Sequence, residues 1–313
     1  MNNTIAILMA SYNGERYIKE QIESIINQRF NDWHLFISDD GSTDDTLEIE
    51  KSYQRRFPQK ITIVENKTSQ HGSKYNFFNL SKVAFNENYN YFMFCDQDDV
   101  WKENKVADTF KVMKQAEKSK DTPILIHTDL EVVDGDLKTL GDSFVKYRAL
   151  DTNCKDVNHL LIQNNVTGCT MMINRSLLGK ALQVKNIDEV AMHDWWFALV
   201  AAIYGKIYFL NESTIKYRQH GGNVVGATNV NSLAFIIKRI AGKSHVKETI
   251  NMSIRQAQQL LDSYADLPQE RRKLIYRFSS LIKFNKLKRI NFVVRNGILK
   301  QGIVQICGEL LFI

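Results

Sequence analysis

The sequence predicts an α/β protein, with a mainly parallel central sheet flanked by helices and a helical C-terminal extension. Three observations carry this prediction. Short apolar runs rich in β-formers alternate with helix-period segments through about residue 120, the order that builds a parallel sheet covered on both faces. Polar clusters follow these runs repeatedly, and in open α/β sheets that is where ligands bind. From about residue 231 the apolar spacing turns helical.

Taken in order, Ile5–Ala10 is the first strand and stops at the turn-prone Ser11-Tyr12-Asn13-Gly14. Ile18, Ile22, Ile25 and Ile26 then share one face of a helix over 15–28. Trp33–Ser38 reads as a second strand ending in Asp39-Asp40-Gly41-Ser42, and a helix follows from about Asp44, with Ser42 and Asp45 spaced like a capping box. Ile61–Val64 is a third strand, and 74–86 a helix. Tyr91–Cys95, wholly apolar, is a fourth strand that runs into Asp96-Gln97-Asp98-Asp99, and Val106, Phe110 and Met113 mark the next helix. Ile124–His127 and Glu131–Val133 lead to Asp134-Gly135, a dipeptide favoured in tight hairpins. Thr170–Ile173 and Lys206–Leu210 are further strands and Met192–Ile203 a helix. In the last region Leu233, Ile236, Ile237 and Ile240 share a face, as do Leu299, Ile303, Ile306, Leu310 and Ile313, a set suited to an interfacial helix or to packing on the body or on a second subunit.

A chain of 313 residues with 44% hydrophobic and 24% charged residues has an ample core, which excludes disordered, collagenous and low-complexity classes. MNNTIAILMA has neither a basic n-region nor a full apolar h-region, so no secretory signal is expected. The longest apolar stretch, Phe197–Tyr204, is far shorter than the ~18–20 residues that cross a bilayer. Cys95, Cys154, Cys169 and Cys307 show no CxxC spacing, which predicts a reduced cytoplasmic setting without a zinc site or disulfide framework. Charge divides the chain. Residues 230–313 hold 15 Lys/Arg against 5 Asp/Glu, whereas 1–229 hold 26 against 30. We therefore expect a catalytic-type domain over 1–229 and a basic helical region over 230–313. For that region, contact with an anionic membrane surface or a lipid-linked phosphate is preferred over a merely solvated face. Nucleic acid is disfavoured because no recognised motif is present.

Four clusters carry chemistry. Asp96 and Asp98, two apart on extended backbone, point the same way and suit one shared hard cation; capping of the next helix is the alternative. Asp39-Asp40 suits a nucleobase imide or ribose hydroxyls, or else turn formation, and Tyr12 suits stacking on a base or partial burial. In His193-Asp194-Trp195-Trp196, Asp194 is placed for general-base work and the tryptophans for a sugar platform. Read from the residues alone, core aromatics and a helix-capping Asp194 are preferred there. Tyr217-Arg218-Gln219-His220-Gly221-Gly222-Asn223 offers Arg218 to phosphate and His220 to a metal, or is an ordinary surface loop. GxGxxG after the first strand, GxxxxGK[ST], GxSxG and HExxH are all lacking, which sets aside dinucleotide oxidoreductases, P-loop NTPases, α/β-hydrolases and zincins.

Read in order, ILMASYNG, FISDDGSTDDT, FCDQDDVW, TGCTMMINR, HDWW and YRQHGGN resemble the family-2 inverting glycosyltransferases of the GT-A fold, over about residues 4–226. HTDLEVVD and YRQHGGNVVG look like bacterial rhamnosyltransferases that build cell-surface polysaccharides. The resemblance implies that Ala10, Tyr12 and Asp40 lie around the nucleotide base. It implies that Asp98 binds Mn²⁺ or Mg²⁺ directly, with His220 closing the metal site, and that Asp96 contacts ribose or metal-bound water. Arg218 would join the nucleotide-sugar contacts and Asp194 would be the catalytic base. His193, Trp195 and Trp196 are assigned to sugar or acceptor contact, although the family often has an acidic residue where His193 stands, which leaves its exact role open. The Q-x-x-R-W motif of processive synthases is missing, which implies one sugar per encounter. Expected partners are a nucleotide-diphosphate sugar, dTDP-L-rhamnose before a UDP-hexose, and a glycan or lipid-linked glycan acceptor. The expected setting is cytoplasmic and peripheral at the inner face of the plasma membrane, with a homo-oligomer as a further arrangement. Rival readings are a sugar-nucleotide nucleotidyltransferase, for which SYNGERY is a poor phosphate loop, and a non-catalytic glycan-binding relative.

Overall fold

The structure is a computed structural model that describes residues 3–220 and 243–313. The predicted face of Leu233, Ile236, Ile237 and Ile240, and the Gly221-Gly222-Asn223 turn, lie outside the described residues. The chain divides into two units. The first holds residues 1–144, 167–182 and 205–226; the second holds 145–166, 183–204 and 227–313. Two stretches from the middle of the chain therefore join the C-terminal region, in place of a single cut near residue 229.

The first unit is built on one sheet with the order β3-β2-β1-β4-β8-β6-β9-β5, where β1 is Ile5–Ser11, β2 Trp33–Asp39, β3 Ile61–Ile63, β4 Tyr91–Cys95, β5 Val100–Trp101, β6 Ile124–Val133, β8 Met172–Asn174 and β9 Lys206–Arg218. A short β7, Thr139–Gly141, pairs with β6 across the Asp134-Gly135 turn. The strands β1, β2, β3, β4, β6 and β9 run one way, and β5, β7 and β8 oppose them. Every residue of β4, and all of β1 except Ala10, is buried, as expected of strands with both faces covered.

The covering helices are α1 (Ile18–Ile26), α2 (Thr46–Arg56), α3 (Ser73–Asn86), α4 (Lys105–Ala116) and α5 (Arg175–Ala181). Ile18, Ile22 and Ile25 are fully buried, so the isoleucine spacing is the core face of α1. The helix starts later than the spacing suggests, because the Tyr17 and Ile18 amides both donate to the Gly14 carbonyl in a preceding turn. The expected capping box does not form. Ser42 turns back, its hydroxyl bonding the Asp39 carboxylate and accepting from the Asn13 amide, and α2 begins at Thr46. Ile124–Val133 is one strand rather than two, since His127, Thr128 and Asp129 stay paired with β9 through a register shift. At the edge of β8, Arg175 donates to the carbonyls of Phe85, Glu87 and Tyr89, each at 2.9 Å, and ties α5 to the end of α3.

Beneath the ends of β1 and β2 lies Glu50 of α2, fully buried, with Ser11 Oγ donating to one carboxylate oxygen at 2.6 Å. Burial pushes its pKa up from 4.5 to about 7, and the nearby Asp39 and Asp44 act in the same direction. The folded protein therefore holds a proton that the unfolded chain releases between those two values. This contribution to stability is complete below pH 4.5 and is lost as the pH rises through about 7. The shift corresponds to about 3 kcal/mol, so Glu50→Gln is expected to stabilise the protein by about 1–3 kcal/mol near pH 8 and to flatten its pH dependence. Denaturant melts of both proteins across pH 5–8 check this; equal slopes with pH would remove Glu50 from the account.

The second unit contains α6 (His193–Tyr204), α7 (Lys243–Ser263), α8 (Gln269–Ser279), α9 (Lys286–Arg295) and α10 (Ile303–Phe312). Among the described residues, no helix is long and apolar enough to cross a membrane. Helix α6 is apolar nearly all round and forms the centre of this unit, with Trp196 stacked on Tyr264 at 6.0 Å and Tyr204 edge-on to the same ring. The expected apolar face of α10 is divided: Ile303 is 81% exposed and Ile313 buried. Its buried side also carries Glu309, which accepts from the Lys300 amide at 2.7 Å.

Candidate active site

The C-terminal ends of β1, β2, β4 and β9 bring Tyr12, Asp40, Asp96, Asp98, Arg218 and His220 to one edge of the sheet. The order β2-β1-β4 places a switch in connection direction beside β1, the position where open sheets leave a crevice.

The loop after β1 is fastened to the loop after β4 by a residue the sequence reading passed over. Gln97 accepts from the Tyr12 amide and donates to the Tyr12 carbonyl, both at 2.8 Å. Gly14 admits that side chain, since a Cβ there would stand 2.2 Å from Gln97 Oε1. The arrangement leaves Tyr12 55% exposed at the site edge. Asn13, at a φ of +46°, accepts from the Thr43 amide and so links the β1 and β2 loops. Ala10 is half-buried at the end of β1, paired in register with Ser38.

Asp40 is buried and well supplied with donors. Asn66 Nδ2 donates at 2.7 Å, the Gly72 amide at 2.6 Å, and His71 Nδ1 lies at 3.1 Å. Gly72 meets it at a φ of +115°, backbone that favours glycine.

The two residues expected to bind metal are in contact: Asp98 Oδ2 lies 2.8 Å from His220 Nε2. The His220 ring also packs on Tyr17, centroid to centroid 4.9 Å. A carboxylate and an imidazole so close together form a donor pair that fits Mn²⁺ or Mg²⁺, and the mixed O and N set favours Mn²⁺. A second group comes from the same loop and from Cys169. One ligand atom each from Asp96, Asp99 and Cys169 fall within 4.8 Å of one another.

Arg218 corrects its expected role as a phosphate fork. The residue is 2% exposed, and its guanidinium donates to Asp98 O at 2.9 Å, Gly135 O at 2.6 Å and Glu20 Oε2 at 2.5 Å, over the face of Tyr17. Its own amide donates to Asp99 Oδ1 at 3.0 Å. This buried arginine, the last residue of β9, commits Nε, Nη1 and Nη2 to three acceptors of the protein, so it holds the Asp98 loop in place instead of facing solvent.

The sequence reading also missed what underlies this loop. Asp99 is fully buried, and burial followed by the Asp98 and Asp96 charges raises its carboxyl well above the usual range. Burial likewise raises the Cys95 and Cys169 thiols. Lys105 of α4 is buried over the Trp101 ring, and burial lowers its ammonium to about 8. DxDD therefore combines partly accessible acids with one that belongs to the core. Only the burial of Cys95 in an apolar strand hinted at this.

In the second unit, Asp194 stands in the first turn of α6, half-buried, with the Trp195 amide donating to Oδ1 at 2.5 Å. It lies inside the helix, not at its cap. The expected sugar platform is corrected. Trp196 is fully buried against Tyr264, and Trp195, 8% exposed, donates its indole N–H to Leu160 O at 2.6 Å. His193 is 4% exposed and burial lowers its pKa to about 3, so it is a neutral core histidine. A helix this apolar buries its aromatics because no polar face competes for the interior.

The family model described as Glycosyl transferase family 2 matches residues 6–179, more than half of the chain, from the second residue of β1 through β8. The chain belongs to glycosyl transferase family 2. Its similarity to the dTDP-rhamnosyl transferase RfbG of Shigella flexneri is 32% identity over 227 residues, covering 70% of this chain and 74% of that protein. An uncharacterized glycosyltransferase of Nostoc is 25% identical over 224 residues, covering 70% and 66%. Among solved structures, Staphylococcus aureus TarS residues 1–349 in complex with UDP-GlcNAc has a TM-score of 0.58 at 15% identity, covering 94% of this chain and 81% of that one. The mannosyltransferase PcManGT of Pyrobaculum calidifontis, in complex with GDP-Man and Mn²⁺, has a TM-score of 0.54 at 13% identity, covering 94% and 72%. These likenesses establish the GT-A fold. The family-2 chain is thus a nucleotide-sugar glycosyltransferase.

Proposed function

We propose that this family-2 enzyme is a metal-dependent inverting rhamnosyltransferase that moves L-rhamnose from dTDP-L-rhamnose to a growing, lipid-linked cell-surface polysaccharide. The observation that carries the donor choice is the 32% identity to a dTDP-rhamnosyl transferase across 70% of the chain. The 2.8 Å contact of Asp98 with His220 supports the metal dependence.

In this reading Asp98 and His220 hold the divalent cation, with Asp96 beside them toward ribose or metal-bound water. Bound there, Mn²⁺ or Mg²⁺ supplies Lewis-acid stabilisation of the departing diphosphate. Arg218 and Gln97 keep the carboxylate loop in register with the end of β1. Asp40 and Tyr12 receive the base, Asp40 by accepting from its imide N–H and Tyr12 by stacking. Asp194 removes the proton from the acceptor hydroxyl as that oxygen attacks the anomeric carbon from the side opposite the leaving group, which inverts the configuration.

The test is a panel of nucleotide sugars incubated with purified protein, divalent metal and polysaccharide acceptor, scored for glycoside and free nucleoside diphosphate. dTDP-L-rhamnose is expected to turn over fastest and a chelator to abolish turnover. Faster use of a UDP-hexose would replace the donor. Pyrophosphate exchange without glycoside would replace the reaction by nucleotidyl transfer. Calorimetry of Mn²⁺ binding reads the metal site apart from activity, and Asp98→Asn with His220→Gln is expected to abolish that binding.

A further inference from the structure

We propose that the segment Ile282–Lys288 of the second unit, which follows α8 and runs into the first turn of α9, is a membrane-docking tip that seats on an anionic lipid surface. Seven consecutive residues there, Ile-Lys-Phe-Asn-Lys-Leu-Lys, are exposed. Three are large and apolar: Ile282 is 60% exposed, Phe284 43% and Leu287 80%. Single exposed apolar residues are ordinary on any protein surface, but a cluster marks an interaction site. Three of the nine exposed large hydrophobics among the described residues fall in this one short segment.

Charge selects the occupant. Residues 271–308 contain ten Lys/Arg and no Asp/Glu. A second copy of the same surface would place like charges opposite one another, because a two-fold contact pairs the patch with itself and this stretch carries no acidic residue. Nucleic acid would use the lysines but would leave three apolar side chains in water. An anionic bilayer uses both: the apolar side chains enter the headgroup boundary, and the lysine stems lie along it with their ammonium groups at the phosphates.

The tip is also preformed. Arg289 turns inward, donating to Phe284 O at 2.7 Å and Ile282 O at 3.3 Å, and Asn285 caps α9 by accepting from the Lys288 amide at 3.0 Å. Lys286 Nζ donates to Leu311 O at 2.8 Å, which adds the 59%-exposed Leu311 to the same surface. Little ordering is left for the lipid to impose, so binding keeps more of its interaction energy. This surface rests on no assumption about donor, metal or acceptor.

Co-sedimentation of the full chain with vesicles, either of phosphatidylcholine alone or with an equal part of phosphatidylglycerol, tests the proposal without any donor or metal. Binding is expected only to the anionic vesicles and is expected to weaken between about 0.1 M and 0.5 M salt. At about 1 kcal/mol, or about fivefold, per lysine near such a surface, Lys283→Gln with Lys288→Gln is expected to weaken binding by roughly 25-fold. Ile282→Ser, Phe284→Ser and Leu287→Ser together are expected to abolish it, with a cooperative thermal melt retained and only the partly buried Phe284 lowering its midpoint. Equal recovery on neutral and anionic vesicles, or wild-type binding by the triple variant, would overturn the proposal. So would sedimentation velocity showing a dimer that the same substitutions dissolve. Release of nucleoside diphosphate in the presence of soluble acceptor, measured on the same variants, reports separately on the enzyme reading.

Discussion

Asp194→Asn is expected to lower turnover by ~10²–10⁴, the range general-base assistance provides, while donor and Mn²⁺ affinities stay close to wild type. The substitution keeps shape and keeps an oxygen able to accept from the Trp195 amide, the bond that now holds Oδ1 at 2.5 Å. The α6 packing around Trp196 and Tyr264 is untouched. What the amide loses is the capacity to take a proton. Single-turnover rates with saturating donor, compared with equilibrium donor binding, separate chemistry from affinity. A variant that turned over like wild type would remove Asp194 as the base.

Arg218→Met is expected to be the most damaging change in the first unit, at about 2–4 kcal/mol. Methionine fills much of the space but leaves the part-buried carbonyls of Asp98 and Gly135 without their donor, and releases Glu20. Glu20 is half-exposed and can turn to water, so the cost comes mainly from the two carbonyls. Arg218→Lys is expected to recover only part of it, because one ammonium cannot reach three acceptors in different directions. Denaturant midpoints measure the stability loss. A second readout distinguishes a positioning role from bulk packing: Mn²⁺ affinity is expected to fall even under strongly native conditions, since Arg218 Nε restrains the Asp98 backbone. Unchanged Mn²⁺ binding would confine Arg218 to stability.

The elements legible in the sequence were those governed by local pattern. The isoleucine spacing of α1 and the apolar runs of β1 and β4 need only neighbours a few residues away to be recognised. Even there, competing local bonds moved the boundaries: Gly14 O takes two amides before α1 begins, and Ser42 turns to Asp39 rather than capping α2. The site was legible as residue types following strands. Asp96, Asp98 and His220 could be chosen, but the 122-residue separation between Asp98 and His220 is closed only by the sheet order. Trp195, Trp196 and Arg218 went the other way. For the tryptophans the residues alone favour the core, where the structure has them, and only the family resemblance points to sugar contact; for Arg218 nothing local distinguishes an arginine that faces a cleft from one that faces the core.

By itself, then, the order of residues determined the alternation of strand and helix, the acidic loops at the strand ends and the basic, acid-free stretch near the C-terminus. All of these are properties of short windows, in which hydrophobic period and charge act directly. Tertiary structure alone decided that Gln97 joins two loops, that Asp99 and Lys105 lie in the core, that Arg218 faces inward and that Ile282, Phe284 and Leu287 face outward. Those outcomes depend on which distant groups compete for the same buried space and the same donors, and that competition exists only once the chain has closed on itself.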